Sequence, residues 1–327
     1  MTHLEDRTRG VGLRPEISVI VPFYNEEDNV VPLYEEIRDA LDALRTPSEM
    51  IFVNDGSRDE TLDKLNEVAA VDERVRVVDL LRNYGQTAAM MAGFDHVRSE
   101  IVVAMDGDGQ NDPADISKLL KELNQGFDVV SGWRVDRKDR AFTRRLPSVI
   151  ANRLISAISG VCLHDYGCSM KAYRRDVIKD VKLYGEMHRF IPIYAAWQGG
   201  RITEVPVNHR PRLRGISKYG LNRILKVLLD LMLVTFMERY LTKPIYVFGG
   251  AGIGILLLSF LCGVWAVALK IFEGTSFIQT PLPVIMGMFF STGVVCILMG
   301  IMAELLMRTY YEAQSKSIYQ VKLPREE

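Results

Sequence analysis

Short apolar runs alternate with amphipathic stretches through the first part of the chain. Ile17–Pro22, Met50–Asn54, Val75–Leu80, Ile101–Met105 and Asp128–Ser131 read as strands. Between them, Val30–Leu44 and Glu60–Ala70 have the amphipathic pattern of helices. Strand and helix in alternation predict a parallel sheet with helices on both faces. Such sheets bind ligands at the carboxyl ends of their strands. Three polar clusters fall there: Tyr24-Asn25-Glu26 after the first strand, Asp55-Gly56-Ser57 after the second and Asp106-Gly107-Asp108 after the fourth.

The pattern changes at Pro244. Ile245–Ile271 is apolar with one charge, Lys270, near its end, and Leu282–Met307 is apolar up to Glu304. Each run exceeds the roughly 20 helical residues that cross a hydrocarbon core, and buried helices of soluble domains seldom stay apolar on every face for so long. Two membrane spans are predicted. Arg239 and Lys243 precede the first, Arg308, Lys316, Lys322 and Arg325 follow the second, and the intervening Phe272–Pro281 carries only Glu273. The positive-inside bias then puts both termini in the cytoplasm, at the inner membrane, with the short loop outside. The amino terminus shows no apolar signal-peptide core, so the large domain is expected inside the cell.

Between these regions, Leu221–Thr242 carries Asn222, Lys226, Asp230, Glu238 and Thr242 as one polar stripe on an otherwise apolar helix. That pattern fits a helix lying in the membrane interface, with an amphipathic helix packed on the domain as the plainer alternative. Gly249, Gly250, Gly252 and Gly254 lie inside the first span, where small residues allow close helix packing. No G-x-G-x-x-G follows the first strand, which counts against a dinucleotide site.

Net charge is −1 with 25% charged residues, so nothing global points to nucleic acid. The four cysteines form no C-x-x-C pair, and neither zinc nor a disulfide is indicated in a cytoplasmic domain.

Chemistry concentrates in the acidic loops. Asp106 and Asp108, two residues apart at a strand end, can both face one small cation. Mg2+ shares its shell between one or two carboxylates, waters and a diphosphate. A plain Asp-Gly turn is the alternative, but two neighbouring polar loops favour the metal–diphosphate site. Asp112-Pro113 reads as a helix N-cap and first-turn proline, which explains Asp112 fully. Ser57 and Glu60 have capping-box spacing. Asp55, left over by that cap, is placed to accept an N–H from a base.

Val21-Pro22-Phe23-Tyr24-Asn25-Glu26-Glu27, Asn54-Asp55-Gly56-Ser57 and Asp106-Gly107-Asp108-Gly109-Gln110, in this order, resemble the family-2 inverting glycosyltransferases of GT-A fold. Arg82-Asn83-Tyr84-Gly85-Gln86, Asp165-Tyr166-Gly167-Cys168 and His209-Arg210-Pro211-Arg212 through Gly215-Ile216-Ser217-Lys218-Tyr219 narrow the resemblance to the polyprenyl-phosphate glycosyltransferases, related to dolichol-phosphate mannose synthase. It covers nearly the whole chain. It implies an α/β GT-A domain over residues 1–220, an interfacial region 221–243, two membrane helices within 244–308 and a cytoplasmic tail 309–327.

The resemblance also implies a site. Pro22, Tyr24, Asn25, Glu26 and Asp55 would line the nucleotide pocket, with Asp106 beside it. Asp106, Asp108 and Gln110 would hold Mg2+ or Mn2+ against the diphosphate. Arg210, Arg212, Ser217 and Lys218 would gather over phosphates, those of donor and acceptor. The family's usual D-A-D-L-Q is D-G-D-G-Q here, and the two glycines are expected to loosen the turn. A metal and nearby cations would stabilise the departing nucleoside diphosphate. The acceptor, a polyprenyl phosphate, is already anionic, so a general base has less to do; Asp165 is the candidate base or sugar contact, with a loop-turn aspartate as the alternative.

Arg134, Arg137, Lys138, Arg140, Arg144 and Arg145 crowd one segment before the mostly apolar Ser148–Ile158. They are expected to meet the lipid bilayer and the acceptor phosphate, Arg134 foremost because it follows a strand; a solvated charged face is the alternative. The family implies a homo-oligomer and a nucleotide-sugar donor, UDP before GDP, without naming the sugar. A processive polysaccharide synthase would need a longer membrane region and a Gln-x-x-Arg-Trp motif, both absent from the sequence. An inactive scaffold would have lost the acidic loops.

Overall fold

The computed structural model describes residues 14–135, 152–153, 155–157, 159–179, 185, 187–211, 232, 235–236 and 243–313, the side chains of 310–313 excepted. Arg137, Lys138, Arg140, Arg144, Arg145, Arg212, Ser217 and Lys218, and the stripe residues of 221–242, lie outside them. The chain divides into two compact units, Met1–Leu231 and Met232–Glu327.

The first unit is built on seven strands: β1 (Ile17–Phe23), β2 (Ser48–Asn54), β3 (Val75–Asp79), β4 (Ile101–Ala104), β5 (Val129–Trp133), β6 (Lys171–Arg174) and β7 (Ile202–Pro206). Their order across the sheet is β3-β2-β1-β4-β6-β5-β7. Its longer helices are α1 (Glu27–Leu44), α2 (Thr61–Val71), α3 (Gln86–Asp95) and α4 (Ile116–Asn124), with shorter helical segments at Pro113–Asp115, Arg175–Ile178, Met187–Phe190 and Ile191–Trp197. The core lies between sheet and helices. Val30, Leu33, Tyr34, Ile37 and Leu41 form the buried stripe of α1, and with Val19, Val21, Phe23, Met50 and Phe52 they belong to one apolar cluster.

The expected wholly parallel sheet needs correction. β6 runs antiparallel to both neighbours, β4 and β5, and separates them. Apolar runs located the first five strands. They missed β6, whose sequence KAYR has a charge at each end, and the half-exposed edge strand β7. They also missed α3, whose small residues sit tightly on β1: a Cβ on Gly93 would lie 2.4 Å from Ile20 Cγ2. The antiparallel insertion carries the residues before β6 to the same sheet edge at which β1, β2 and β4 end.

The second unit contains α5 (Ile245–Phe272) and α6 (Leu282–Ala313), joined through a short turn at Phe277–Gln279. Both helices are long and apolar enough to cross a membrane, and only 17% and 11% of their most apolar windows is buried. A soluble core helix of this composition would be largely covered. The pair meets through small residues, as the sequence predicts for Gly249 and Gly252: a Cβ on Gly252 would lie 2.7 Å from Ile297 Cγ1 and 2.8 Å from the Gly293 carbonyl. Gly250 and Gly254 meet nothing within 4 Å, so packing does not explain them. Ser259 Oγ donates to the Met286 carbonyl at 2.8 Å, a second tie between the two helices.

Candidate active site

The loops after β1 and β2 are cross-braced. The backbone N–H of Asn25 donates to Ser57 Oγ at 3.0 Å, and Asn25 Oδ1 accepts the Arg58 N–H at 2.8 Å. The Glu26 N–H donates to Thr61 Oγ1 at 3.0 Å, while the Glu26 carboxylate accepts from Asn29 Nδ2 at 2.6 Å. Asn25 takes a left-handed φ of 49° to make this crossing, a conformation asparagine tolerates better than most residues. The predicted capping box does not form. Ser57 serves Asn25, Glu60 donates its N–H to Glu27 Oε2 at 2.8 Å, and Asp59 accepts the Thr61 N–H at 3.2 Å instead.

Asp55, 3% exposed, ties in the next loop. Its carboxylate accepts the N–H groups of Tyr84 at 2.7 Å and Gly85 at 3.0 Å, and Asn83 Nδ2 at 2.9 Å. Burial pushes its pKa up, and the Tyr84 and Gly85 amides pull it back only in part. Tyr24 and Pro22 are half-buried on the β1 side of the same edge.

Asp106 and Asp108 are both half-buried in the turn after β4. Gln86, at the start of α3, donates its amide to Asp106 Oδ1 at 2.5 Å, and Asp108 Oδ1 accepts the Gln110 N–H at 3.1 Å. The glycines do not loosen this turn. A Cβ on Gly107 would stand 2.6 Å from Phe23 Cδ1 and 2.7 Å from the Pro22 carbonyl, so the close approach of the β1 end demands glycine. Gly109 takes φ +70°, which a side chain disfavours. Gln110 spends its amide nitrogen on the Arg210 carbonyl at 3.4 Å, which leaves its Oε1 for a ligand. Two carboxylates and an amide oxygen are hard donors that suit Mg2+ or Mn2+, with the rest of the shell left to water and phosphate oxygens. Among the described residues no group of three or more His, Cys, Asp or Glu stands ready for a metal. Two carboxylates and one amide oxygen leave room in the shell for phosphate oxygens, so the donor set fits an ion shared with a diphosphate.

Arg134 and Asp165, assigned separately from the sequence, are partners. Arg134 Nε donates to Asp165 Oδ2 at 2.7 Å and Nη2 to Oδ1 at 3.0 Å, with side chains 13% and 4% exposed. Burial works against the guanidinium charge, but Asp165 outweighs it, helped at longer range by the charge of Asp106. The β5 end and the D-G-D-G-Q turn thus share one electrostatic neighbourhood. One residue earlier on each segment, the rings of Trp133 and His164 stack at 4.3 Å, and Glu204 of β7 binds the His164 ring and accepts the His164 backbone N–H at 2.8 Å.

Arg210 is held away from a free phosphate-gathering role. Its guanidinium pairs with Glu36 at 2.6 Å and Asp112 at 2.9 Å, and its backbone N–H donates to the Gln110 carbonyl at 2.9 Å. Asp112 caps Pro113–Asp115 as expected, accepting the Ala114 N–H at 3.2 Å, but capping is only part of its work. Asn208 Nδ2 and Arg210 also bind it. Burial alone would raise its pKa; Asn208, the Ala114 amide and Arg210 together hold it below the ordinary carboxylate value.

The sequence assigned no role to Gln86, Trp133, His164, Glu204, Arg189 or Lys171. Gln86 stands within the motif Arg82–Gln86, which was the available signal. Trp133, His164 and Glu204 carry no local signal, because each acquires its neighbours through chain crossing, and Lys171, which meets the carbonyls of nearby Tyr166 and Cys168, belongs to no motif.

A family model, glycosyl transferase family 2, matches residues 18–182. Over 314 residues the chain is 43% identical to dodecaprenyl-phosphate galacturonate synthase of Rhizobium johnstonii, covering 94% of this chain and 92% of that one. It is 36% identical over 302 residues to undecaprenyl-phosphate 4-deoxy-4-formamido-L-arabinose transferase of Pseudomonas aeruginosa, covering 92% and 87%. Glucosyl-3-phosphoglycerate synthase of Mycobacterium tuberculosis, solved with Mn2+, UDP and glucosyl-3-phosphoglycerate, superposes with a TM-score of 0.50 at 20% identity, over 68% of this chain and 80% of that one. That likeness establishes the GT-A type of fold. The chain belongs to glycosyl transferase family 2, in the branch of the polyprenyl-phosphate glycosyltransferases, and is an enzyme of that class.

Proposed function

We propose that this protein transfers one sugar from a nucleotide-sugar, UDP-linked, to polyprenyl phosphate with inversion at the anomeric carbon. The product is a polyprenyl-monophosphate sugar for cell-envelope glycan or lipid modification. The observation that carries this reading is the placement of the Asp106–Asp108 turn and the Arg134–Asp165 pair at one sheet edge, in a chain that matches two polyprenyl-phosphate glycosyltransferases over more than nine-tenths of its length.

Asp106, Asp108 and Gln110 would hold Mg2+ or Mn2+, which when bound offsets the charge developing on the departing nucleoside diphosphate. Pro22, Tyr24, Asn25, Glu26 and Asp55 form the nucleotide side of the site. The braced loops keep this side in place before the donor arrives, so little ordering is left to the reaction. Arg134 faces the acceptor phosphate, and Asp165 fixes the plane of its guanidinium through both hydrogen bonds. The attacking phosphate oxygen is already ionised, so no proton need be removed from it. Asp165, bound at both oxygens by Arg134, serves orientation better than proton abstraction. Arg210 orders the end of the metal loop, and Arg212, Ser217 and Lys218, outside the described residues, keep the role of phosphate contacts that the resemblance implies for them. The exposed apolar faces of α5 and α6 hold the enzyme in the bilayer where its lipid acceptor resides, with the catalytic unit and both termini on the cytoplasmic side. The enzyme works as a homo-oligomer.

The test uses purified full-length protein with Mg2+, polyprenyl phosphate and a panel of radiolabelled UDP- and GDP-sugars. One donor should yield a chloroform-soluble glycolipid whose anomeric configuration, read by NMR, is opposite to the donor's. Transfer to free polyprenol at a similar rate would overturn the mechanism, because an uncharged hydroxyl needs the general base that this site does without.

A further inference from the structure

Lys171 is 2% exposed, its amino group inside the sheet at the start of β6. Its backbone stands opposite Ala104 of β4 and Ser131 of β5. From those two positions the chain runs on toward the same sheet edge, to Asp106 after β4 and to Arg134 after β5. Lys171 Nζ donates to the Tyr166 carbonyl at 3.3 Å and to the Cys168 carbonyl. These carbonyls flank Gly167. A Cβ on Gly167 would lie 3.2 Å from Arg134 Nη2, 3.3 Å from Arg189 Nη1 and 3.4 Å from Asp165 Oδ1. The Gly167 N–H itself donates to Asp165 Oδ1 at 3.1 Å. The peptide that the amino group grips from below is the surface on which the Arg134–Asp165 pair rests from above.

A buried ammonium is costly, and an aliphatic side chain would fill a strand position without that cost. What an aliphatic residue cannot do is hold two inward-facing carbonyls. Burial pushes the pKa of this lysine down, and Asp165 and Asp106, which raise it, act only as charges beyond its hydrogen-bonding partners. We infer that Lys171 is a positioning residue for the transfer. By clamping the Tyr166–Cys168 segment it sets the height and orientation of Asp165 and Arg134 relative to the Asp106–Asp108 turn. This inference rests on the roles proposed above for Arg134 and Asp165.

The experiment compares wild type, Lys171→Met, Asp165→Asn and the double variant as purified full-length proteins, using the donor identified by the panel. Lys171→Met should lower kcat about 100-fold, the scale of a misplacement of about 1 Å in the reacting groups. Nucleotide affinity by calorimetry should change by less than about threefold, since the donor side of the site is untouched. Hydrogen exchange should speed up at the amides of 166–168 while β1 to β4 keep their protection. In the Asp165→Asn background, Lys171→Met should add less than about threefold, because both act through one pair. A folded Lys171→Met protein with wild-type kcat would overturn the inference, as would a full additional loss in the double variant. If Lys171→Met does not fold, Lys171→Gln carries the same readouts with the same expected pattern. Should Asp165→Asn and Arg134→Lys leave kcat and the acceptor KM unchanged, the proposed roles of that pair fall. Should they act while Lys171→Met does not, the clamp alone falls.

Discussion

Arg134 and Asp165 meet end to end, with Nε and Nη2 of the guanidinium on the two oxygens of one carboxylate at 2.7 and 3.0 Å. Thirty-one positions separate them in the chain, and neither side chain is more than 13% exposed. Each group therefore depends on the other, for neutralisation as well as for orientation. This changes how substitutions at either must be designed.

Arg134→Ala would strip both guanidinium hydrogen bonds from the buried carboxylate of Asp165, at about 3–5 kcal/mol of stability. Arg134→Lys keeps the charge but loses the fork that addresses both oxygens. The lysine variant should fold and should raise the KM for polyprenyl phosphate about 10-fold, the loss expected of one charge-assisted hydrogen bond. Donor affinity by calorimetry should barely move. An unchanged acceptor KM with a reduced kcat would assign Arg134 a role away from the acceptor.

Asp108→Asn removes a ligand charge without disturbing packing. Transfer should be abolished and the melting temperature retained. EDTA should silence the wild type and Mg2+ or Mn2+ should restore it, but neither ion should revive the variant. Full activity of Asp108→Asn with an unaltered metal requirement would refute the metal site.

Gly107→Ala forces a methyl group against Phe23 and the Pro22 carbonyl. The cost should be about 1–3 kcal/mol by chemical denaturation, the scale of overpacking. The affinity for Mn2+ in the presence of UDP should fall as well, since the turn that carries both carboxylates must shift. Wild-type stability together with wild-type Mn2+ affinity would show that the β1 end yields easily.

Asp112 supplies a pH dependence. Its folded-state pKa lies below the ordinary value of 3.8, so its contribution is fully present above that value and is lost as pH falls through the lowered one. Wild type should therefore be more stable than Asp112→Asn at neutral pH, and the difference should shrink in acid below pH 3.8. Denaturant titrations of both proteins at several pH values measure this. A gap that stays constant into acid would mean that the Arg210 contact gains nothing from the charge.

The topology is open to labelling. A cysteine placed between Glu273 and Pro281 should react with an impermeant maleimide from outside intact cells, and a reporter fused after Glu327 should report from the cytoplasm. The opposite pattern would put the catalytic unit on the wrong side for nucleotide-sugars.

The sequence by itself determined β1 to β5, α1, α2 and the two apolar helices, because their periodicity belongs to contiguous residues. It also located the acidic turns, since a strand's end and the polar residues after it are neighbours in the chain. Tertiary structure decided the rest. The place of β6 between β4 and β5 is a matter of which strand finds which edge, and nothing in KAYR encodes an antiparallel partner on either side. Through that insertion Asp165 comes beneath Arg134, and Lys171 comes beneath the peptide between them. The same holds for the partners of Asp55, the Tyr84 and Gly85 amides, and of Arg210, the carboxylates of Glu36 and Asp112, none of which could be read from the chain. A charged side chain shows its type in the sequence. Its partner is fixed only when folding removes it from water, where an unpaired charge is costly and the nearest available group of opposite sign or complementary polarity must be taken.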